Sequence, residues 1–405
     1  MLLNRNKKTA LAALLAILML FGMASSALAV SAGDIRSKTD LTLSYYNQQS
    51  SYDDWQGLGL RWLGSEVAPK MAASSTTTAS DYARLLMGQI AANRPAAAIN
   101  ATIATLQGMQ NPSGDFNTAG AASLNQTIWA VIALNFAAKN GYTVSYDETD
   151  AAAYIAAQQN AGGGFDESGW GFDVDSTAHA LIALSSHQAD YPQAIQSALT
   201  YLKSQQDSSG GFQSWGSVSP DSTAAVIEAL MVLGCDPQSP PGTGWKGNMV
   251  EALLSYQLNS GGFYYPGVPD TANSYTTRNA LLALGDLAQN KSKYLNALPA
   301  TGSLALTITN NGKLHPDSDA SVTIRVNNAS GSNIDFLLIA ALYEKANEKM
   351  EVYNSVSQSI AALGVINAEY GLSLPAAGNY ELRIYAWNNW TDRTPLASVT
   401  IIPIE

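Results

Sequence analysis

The sequence predicts a mainly α fold: an α/α toroid of stacked helix pairs followed by a C-terminal β-sandwich. Three observations predict it. A Gln-to-Phe signature recurs four times at a near-constant period, a Thr- and Ala-rich column at helical spacing follows each copy, and the texture turns to short β-prone runs after Pro299. The expected organisation is a signal peptide over 1–29, a linker over 30–40, the toroid over 41–298 and a β-sandwich over 302–405.

Export is expected from the first residues. Asn4-Arg5-Asn6-Lys7-Lys8 is a basic start, Leu11 to Phe21 is apolar, and Ala27-Leu28-Ala29 is a small-residue cleavage site. The apolar run is too short to cross a bilayer, and no later segment reaches the roughly 18 apolar residues needed. A secreted or cell-surface protein is the expectation. The segment holds three of the 21 cations and no acid, so the net charge of −11 becomes −14 on its removal. Such acidity speaks against nucleic-acid binding and against a basic membrane patch. One cysteine, Cys235, gives no disulfide framework and reads as a small buried apolar residue.

The repeat defines the helical part. Gln and Phe stand six apart as Gln110…Phe116, Gln159…Phe165, Gln206…Phe212 and Gln257…Phe263, with periods of 49, 47 and 51 residues. The second column reads Thr-x-x-apolar-x-x-Ala-Leu, from Thr127, Thr177, Thr223 and Thr277; Ser80-Ala83-Leu86-Met87 is a weaker fifth copy. Its spacing is helical, and Thr at the start suits an N-cap or first-turn role. Each unit is thus an outer helix ending at Gln (Ala194–Gln206, for example), a Gly-rich turn, a core Phe and a second helix. One pair cannot bury its apolar face alone, so five must stack, enough to curve into a ring.

These turns, read as Gln-x-x-x-Gly-Gly-Phe, resemble the repeat of squalene–hopene cyclases. Asp173-Val174-Asp175-Ser176-Thr177-Ala178 resembles the acidic motif of that family, with Ser176 in place of a third Asp. The resemblance implies the toroid that terpenoid cyclases share with protein prenyltransferases, cobalamin carriers and complement thioester domains. By position it makes Asp175 the acid donor, with Asp173 beside it and His179 four residues on. The copies also offer a plainer reading. Asn125, Asp221 and Tyr275 occupy the place of Asp175, so Asp-Ser-Thr can be a recurring helix-start device. Asp166, Glu167, Asp173 and Asp175 could alternatively hold a cation, though not at EF-hand spacing.

After Pro299, runs at 304–309, 321–326, 336–343, 369–374, 380–387 and 398–402 read as strands, separated by turns such as Asn310-Asn311-Gly312. Leu374 to Tyr380 resembles a corner of fibronectin-type or immunoglobulin-like domains, and Trp387-Asn388-Asn389-Trp390 resembles modules appended to bacterial surface proteins.

The leading functional expectation is a toroid that binds a largely apolar ligand or partner: an isoprenoid-like or cobalamin-like molecule, or a cell-envelope component. Trp129, Trp170, Phe172, Trp215, Tyr264 and Tyr275 are the expected ligand contacts, because they follow the Gly turns without recurring strictly. The alternative is a terpene cyclase-like or prenyltransferase-like enzyme with Asp175, Asp173 and His179 as the catalytic set. No metal or cofactor is expected. The sequence carries no P-loop, no Gly-x-Ser-x-Gly and no zinc set around its three histidines.

Overall fold

The Gln column builds the fold by tying each turn to the next helix pair. The computed structural model describes residues 29–404, apart from 118–121, 168–170, 172, 215, 239–242, 300–303, 309–313, 315–318, 329–332, 362–363, 376–377, 392, 394 and 398. All but the last residue of the expected signal peptide therefore lies outside the described residues. The described helices are α1 (Ala32–Asn47), α2 (Asp54–Trp62), α3 (Ala79–Ala91), α4 (Ala96–Gln107), α5 (Leu124–Lys139), α6 (Glu148–Ala157), α7 (Val174–Ala183), α8 (Pro192–Gln205), α9 (Pro220–Val232), α10 (Met249–Leu254) and α11 (Ser274–Gln289). Helix α1 starts inside the expected linker. Its buried residues Ile35, Thr39, Thr42 and Tyr46 recur every three or four positions and form one helical stripe.

Gln206 shows the device. Its Nε2 donates to Gly210 O at 2.9 Å, closing its own turn, and to Gly247 O at 3.0 Å, just before α10. Gln159 likewise donates to Gly163 O at 2.9 Å and to Ala194 O in α8 at 2.8 Å. Gln110 donates to Asp147 O, at the start of α6, at 2.7 Å. The fourth copy finds its partner at the other end of the sequence. Gln257 Nε2 donates to Lys38 O at 2.7 Å and Thr42 Oγ1 at 2.9 Å, both in α1.

The Gly column follows the same rule. Gly114, Gly163, Gly210 and Gly261 have φ of 88°, 89°, 91° and 89°, a region that L-residues avoid. A Cβ at these positions would overlap the backbone carbonyl oxygens of Asp150, Ser197, Asn248 and Leu41 respectively. Glycine is required there twice over, for the turn and for the close approach of the neighbouring helix.

The Thr column has a different role from N-capping. Thr177 Oγ1 donates to Asp173 O at 2.7 Å and accepts from Phe165 N at 3.1 Å. Thr127, Thr223 and Thr277 accept from Phe116 N, Phe212 N and Phe263 N at 2.9, 3.2 and 2.8 Å. Each hydroxyl satisfies the buried backbone N–H of the core Phe, and all four phenylalanines are fully buried. The caps lie four residues earlier, at Asp173, Ser219 and Asn273.

The chain divides into two compact units. One comprises residues up to Asn47 with Gln110–Ile132 and Tyr146–Ser292; the other comprises Gln48–Met109, Ala133–Ser145 and Lys293–Glu405. In the first, α9 packs against both α7 and α11, and α1 packs on α11. In the second, α3 packs against α2 and α4. Cys235 departs from expectation: it is exposed. Gly234 ends α9 with φ 71°, and the chain turns outward there with Cys235 N bonded back to Leu230 O at 2.8 Å.

The described strands are β1 (Phe212–Ser214) and β2 (Ser217–Ser219), a short hairpin, then β3 (Leu304–Ile308), β4 (Asp319–Asn328), β5 (Ile334–Glu344), β6 (Lys349–Ile360), β7 (Val365–Ser373), β8 (Tyr380–Trp387) and β9 (Thr400–Pro403). After residue 300 they form two antiparallel sheets, ordered β3-β4-β7 and β6-β5-β8-β9. Val322, Ile324 and Val326 of β4 join Phe336, Leu338, Ala340 and Leu342 of β5 and Leu382, Ile384 and Ala386 of β8 in one apolar cluster. Their period of two marks the inward faces of both sheets. The chain is thus a helical repeat region followed by a β region. Strand β6 escapes the sequence reading because nearly all of it is exposed and Asn354 and Gln358 interrupt its alternating apolar positions.

Candidate acid site

The third repeat builds a polar cluster at the N-terminus of α7. Asp173 caps the helix: its Oδ1 accepts from Ser176 N at 2.7 Å. Ser176 Oγ donates to Asp173 Oδ2 at 3.2 Å and accepts from Glu167 N at 3.1 Å. The Ser that stands where the resemblance implies a third acid is therefore a clasp, holding the 166–167 loop over the helix. The clasp places Glu167 Oε1 2.8 Å from His179 Nδ1, one turn further along α7. Trp129 of α5 packs on the other side of His179, with ring centroids 4.7 Å apart and planes at 56°.

Asp175 is not the cap. It lies inside the first turn of α7, partly buried beside His179 and Ser222. Its Oδ1 is buried with no hydrogen-bond partner, and so are Glu167 Oε2 and Ser222 Oγ. Burial raises the pKa of Asp175 first of all; Ser222 and His179 oppose the rise, and Asp173 and Asp221 add to it. Asp173 is also raised by burial, against its bonds to Ser176. For His179, burial pulls the pKa down, but Glu167, then Asp175 and Glu228, overcome it and raise it to about 9. At neutral pH the imidazole is a cation held by Glu167, while burial shifts Asp175 toward its neutral form.

The cluster is enclosed yet accessible. Within α7 only Asp175 and His179 keep partial exposure, every other residue being buried; the His179 side chain retains 21%. In α9 the first residue to do so is Asp221, ahead of a buried run. Asp221 Oδ1 accepts from Asn279 Nδ2 at 3.1 Å and Oδ2 from Thr276 Oγ1 at 3.3 Å, both in α11. Burial raises its pKa against those two bonds and the charge of Arg278. A polar strip thus runs from Trp129 through His179, Asp175 and Asp221 to Asn279, across α5, α7, α9 and α11. One proton donor in such a strip can serve an apolar molecule lying along it.

Of the expected site residues, the fold brings together Trp129, Asp173, Asp175 and His179. Tyr264 stacks on Tyr256, with centroids 5.1 Å apart, and Tyr275 is 65% exposed with the Arg278 guanidinium 4.9 Å from its ring. Trp170, Phe172 and Trp215 lie outside the described residues. The alternative cation set is engaged elsewhere: Asp173 on its cap, Glu167 on His179, and Asp166 Oδ2 on Gly171 N at 2.8 Å. Among the described residues no group of three or more His, Cys, Asp or Glu is placed to hold a metal. Sequence reasoning missed Ser222, Asn279 and Glu228. An acid inside Val226-Ile227-Glu228-Ala229-Leu230, seven residues after Asp221, was the available signal.

A scan of protein-family models finds no match, and neither does a search of curated proteins. Among solved structures the chain is similar to the type II terpene cyclase MstE from Scytonema in its apo form: 12% identity, TM-score 0.47, covering 64% of this chain and 100% of that one. A variant of that cyclase in complex with geranylgeranyl dihydroxybenzoate gives 12% identity and a TM-score of 0.46, covering 63% and 97%. The ent-copalyl diphosphate synthase from Streptomyces platensis gives 19% identity and a TM-score of 0.38, covering 62% and 50%.

Proposed function

We propose that the chain is an exported protein whose repeats close into a toroid, and that Asp175 is a Brønsted acid acting there on an apolar, alkene-bearing ligand of the isoprenoid type. The observation that carries this is Asp175 itself, an enclosed carboxyl with an unpartnered oxygen and a raised pKa. A neutral carboxyl can hand its proton to a C=C bond. The O–H bond breaks, a C–H bond forms at one alkene carbon, and the other carbon becomes a cation. Electron flow from a second alkene then closes a ring, and loss of a proton to water ends the sequence. The low-dielectric surroundings favour the neutral acid before transfer. Trp129 offers a ring face to the cation that forms, as aromatic faces do. Asp173 and Glu167 are positioning residues: the first holds α7 and Ser176, the second holds His179.

Ser176 also favours a second reading, an apolar-ligand carrier without turnover, because it replaces the third acid of the resembling motif with a clasp. One experiment separates the two. Purified mature protein and its Asp175→Asn variant are incubated with linear polyprenyl alcohols, diphosphates and squalene, and extracts are analysed by gas chromatography–mass spectrometry. The acid reading expects cyclised isomers from the parent and at least a ~100-fold loss in the variant. Equal turnover by both removes the acid role. No turnover by either, with ligand retained on the protein, leaves the carrier.

A further inference from the structure

The outer face of the four-stranded sheet carries a feature that the helical site does not use. Leu337, Ile339 and Ala341 of β5 point away from the shared core and form a separate small cluster, flanked by Tyr343, Tyr385 and Trp387. Trp390, just past β8, folds back over this face. Its ring centroid lies 5.7 Å from Trp387 and 5.3 Å from Tyr353 of β6, both edge-on. The row continues from Trp387 to Tyr385 at 5.2 Å and to Tyr343 at 6.5 Å. Yet the end of the row stays in water: Trp390 is 41% and Tyr353 49% exposed. Trp390 borders a cleft.

That cleft encloses about 430 Å³ beside Trp390, within the range of small-ligand sites. The pairings Asp335↔Ser359 and Leu337↔Ser357 put small hydroxyls and one carboxylate on its floor, with Asn388 and Asn389 on the Trp390 side. Among the described residues no Lys or Arg lines it, so an anion finds no counter-charge in that lining. A purely apolar ligand would strand the Ser357 and Ser359 hydroxyls and the Asp335 carboxylate without hydrogen bonds. What fits is a molecule with a flat C–H face for the electron-rich indole and a rim of hydroxyls for the polar groups.

We propose that this cleft binds a neutral pyranose glycan, with Trp390 as the stacking platform and Asp335 and the Asn388–Asn389 amides as partners of the sugar hydroxyls. The site is separate from the acid site and stands whether or not that site turns over a substrate. The whole mature chain is tested by intrinsic tryptophan fluorescence against cello-, chito-, malto- and xylo-oligosaccharides, and by retention on insoluble cellulose and chitin. At least one glycan is expected to bind saturably, and Trp390→Ala to weaken it by about tenfold or more. Trp390 also packs edge-on against Trp387 and Tyr353, so its loss can unsettle that face of the sheet. Ser357→Trp, at an exposed edge position, fills the cleft without removing a core contact. It is expected to abolish binding with an unchanged melting temperature. Absence of binding across the panel, or undiminished binding by Ser357→Trp, overturns the proposal.

Discussion

Substituting Gly261 by alanine isolates the contact through which the last repeat meets the first helix. Two effects combine at this position. The backbone stands at φ 89°, where an L-residue costs about 1–2 kcal/mol. The new methyl group also overlaps Leu41 O in α1, so helix and turn must separate. Separation weakens the two Gln257 bonds to Lys38 and Thr42, each contributing about 1 kcal/mol net. The expected loss is therefore about 3–4 kcal/mol. Gly141→Ala is the matched control. It has φ 86° but nothing within 4 Å of a Cβ, so only the backbone cost of about 1–2 kcal/mol applies. Urea unfolding followed by far-ultraviolet circular dichroism reads both. A gap of about 2 kcal/mol or more is expected between the variants. Equal destabilisation would refute the docking of the fourth turn on α1.

Two further outcomes follow from the site and the repeat. Glu167→Gln removes the largest influence that raises the pKa of His179, so its imidazole titration, followed by NMR, should fall from about 9 towards the ordinary value near 6.5. Because the folded pKa lies above the unfolded one, the stabilisation is complete below about pH 6.5 and disappears as pH rises through about 9. The variant should therefore lose up to about 3 kcal/mol at pH 6 and nothing near pH 10, and a pH-independent loss would contradict the pairing. Thr223→Val keeps the shape but strips the acceptor from Phe212 N, which is buried. A loss of about 1–3 kcal/mol is expected in the same urea assay, and a neutral result would mean that another group accepts that N–H.

Much of this was legible because the repeat states its own physics. The Gln-to-Phe spacing never varies, since the Gln amide and the positive-φ glycine must close one turn of fixed size. The Phe-to-Thr spacing does vary, since the Thr hydroxyl needs only to reach the Phe N–H, whatever loop intervenes. Strand β6 was not legible, because it is nearly all exposed and Asn354 and Gln358 break the alternation of Val352, Val356 and Ile360. The partner of Gln257 was equally hidden, because no local pattern marks a bond to Lys38.

The roles of Asp173 and Asp175 turn on where α7 begins. Either carboxylate could accept from a backbone N–H at a helix start, and a shift of two residues exchanges their roles. With Asp175 as cap, it would be an ordinary stabilised anion and the cluster would have no acid. With Asp173 as cap, as found, the bond to Ser176 N satisfies the helix end, and Asp175 is carried one half-turn inward without a backbone donor. Burial then acts on Asp175 with too little hydrogen bonding to offset it, and its pKa is raised. The plain helix-start device and the acid are thus two halves of one arrangement: the first Asp caps the helix, and the second is left to burial, which shifts it toward its neutral form.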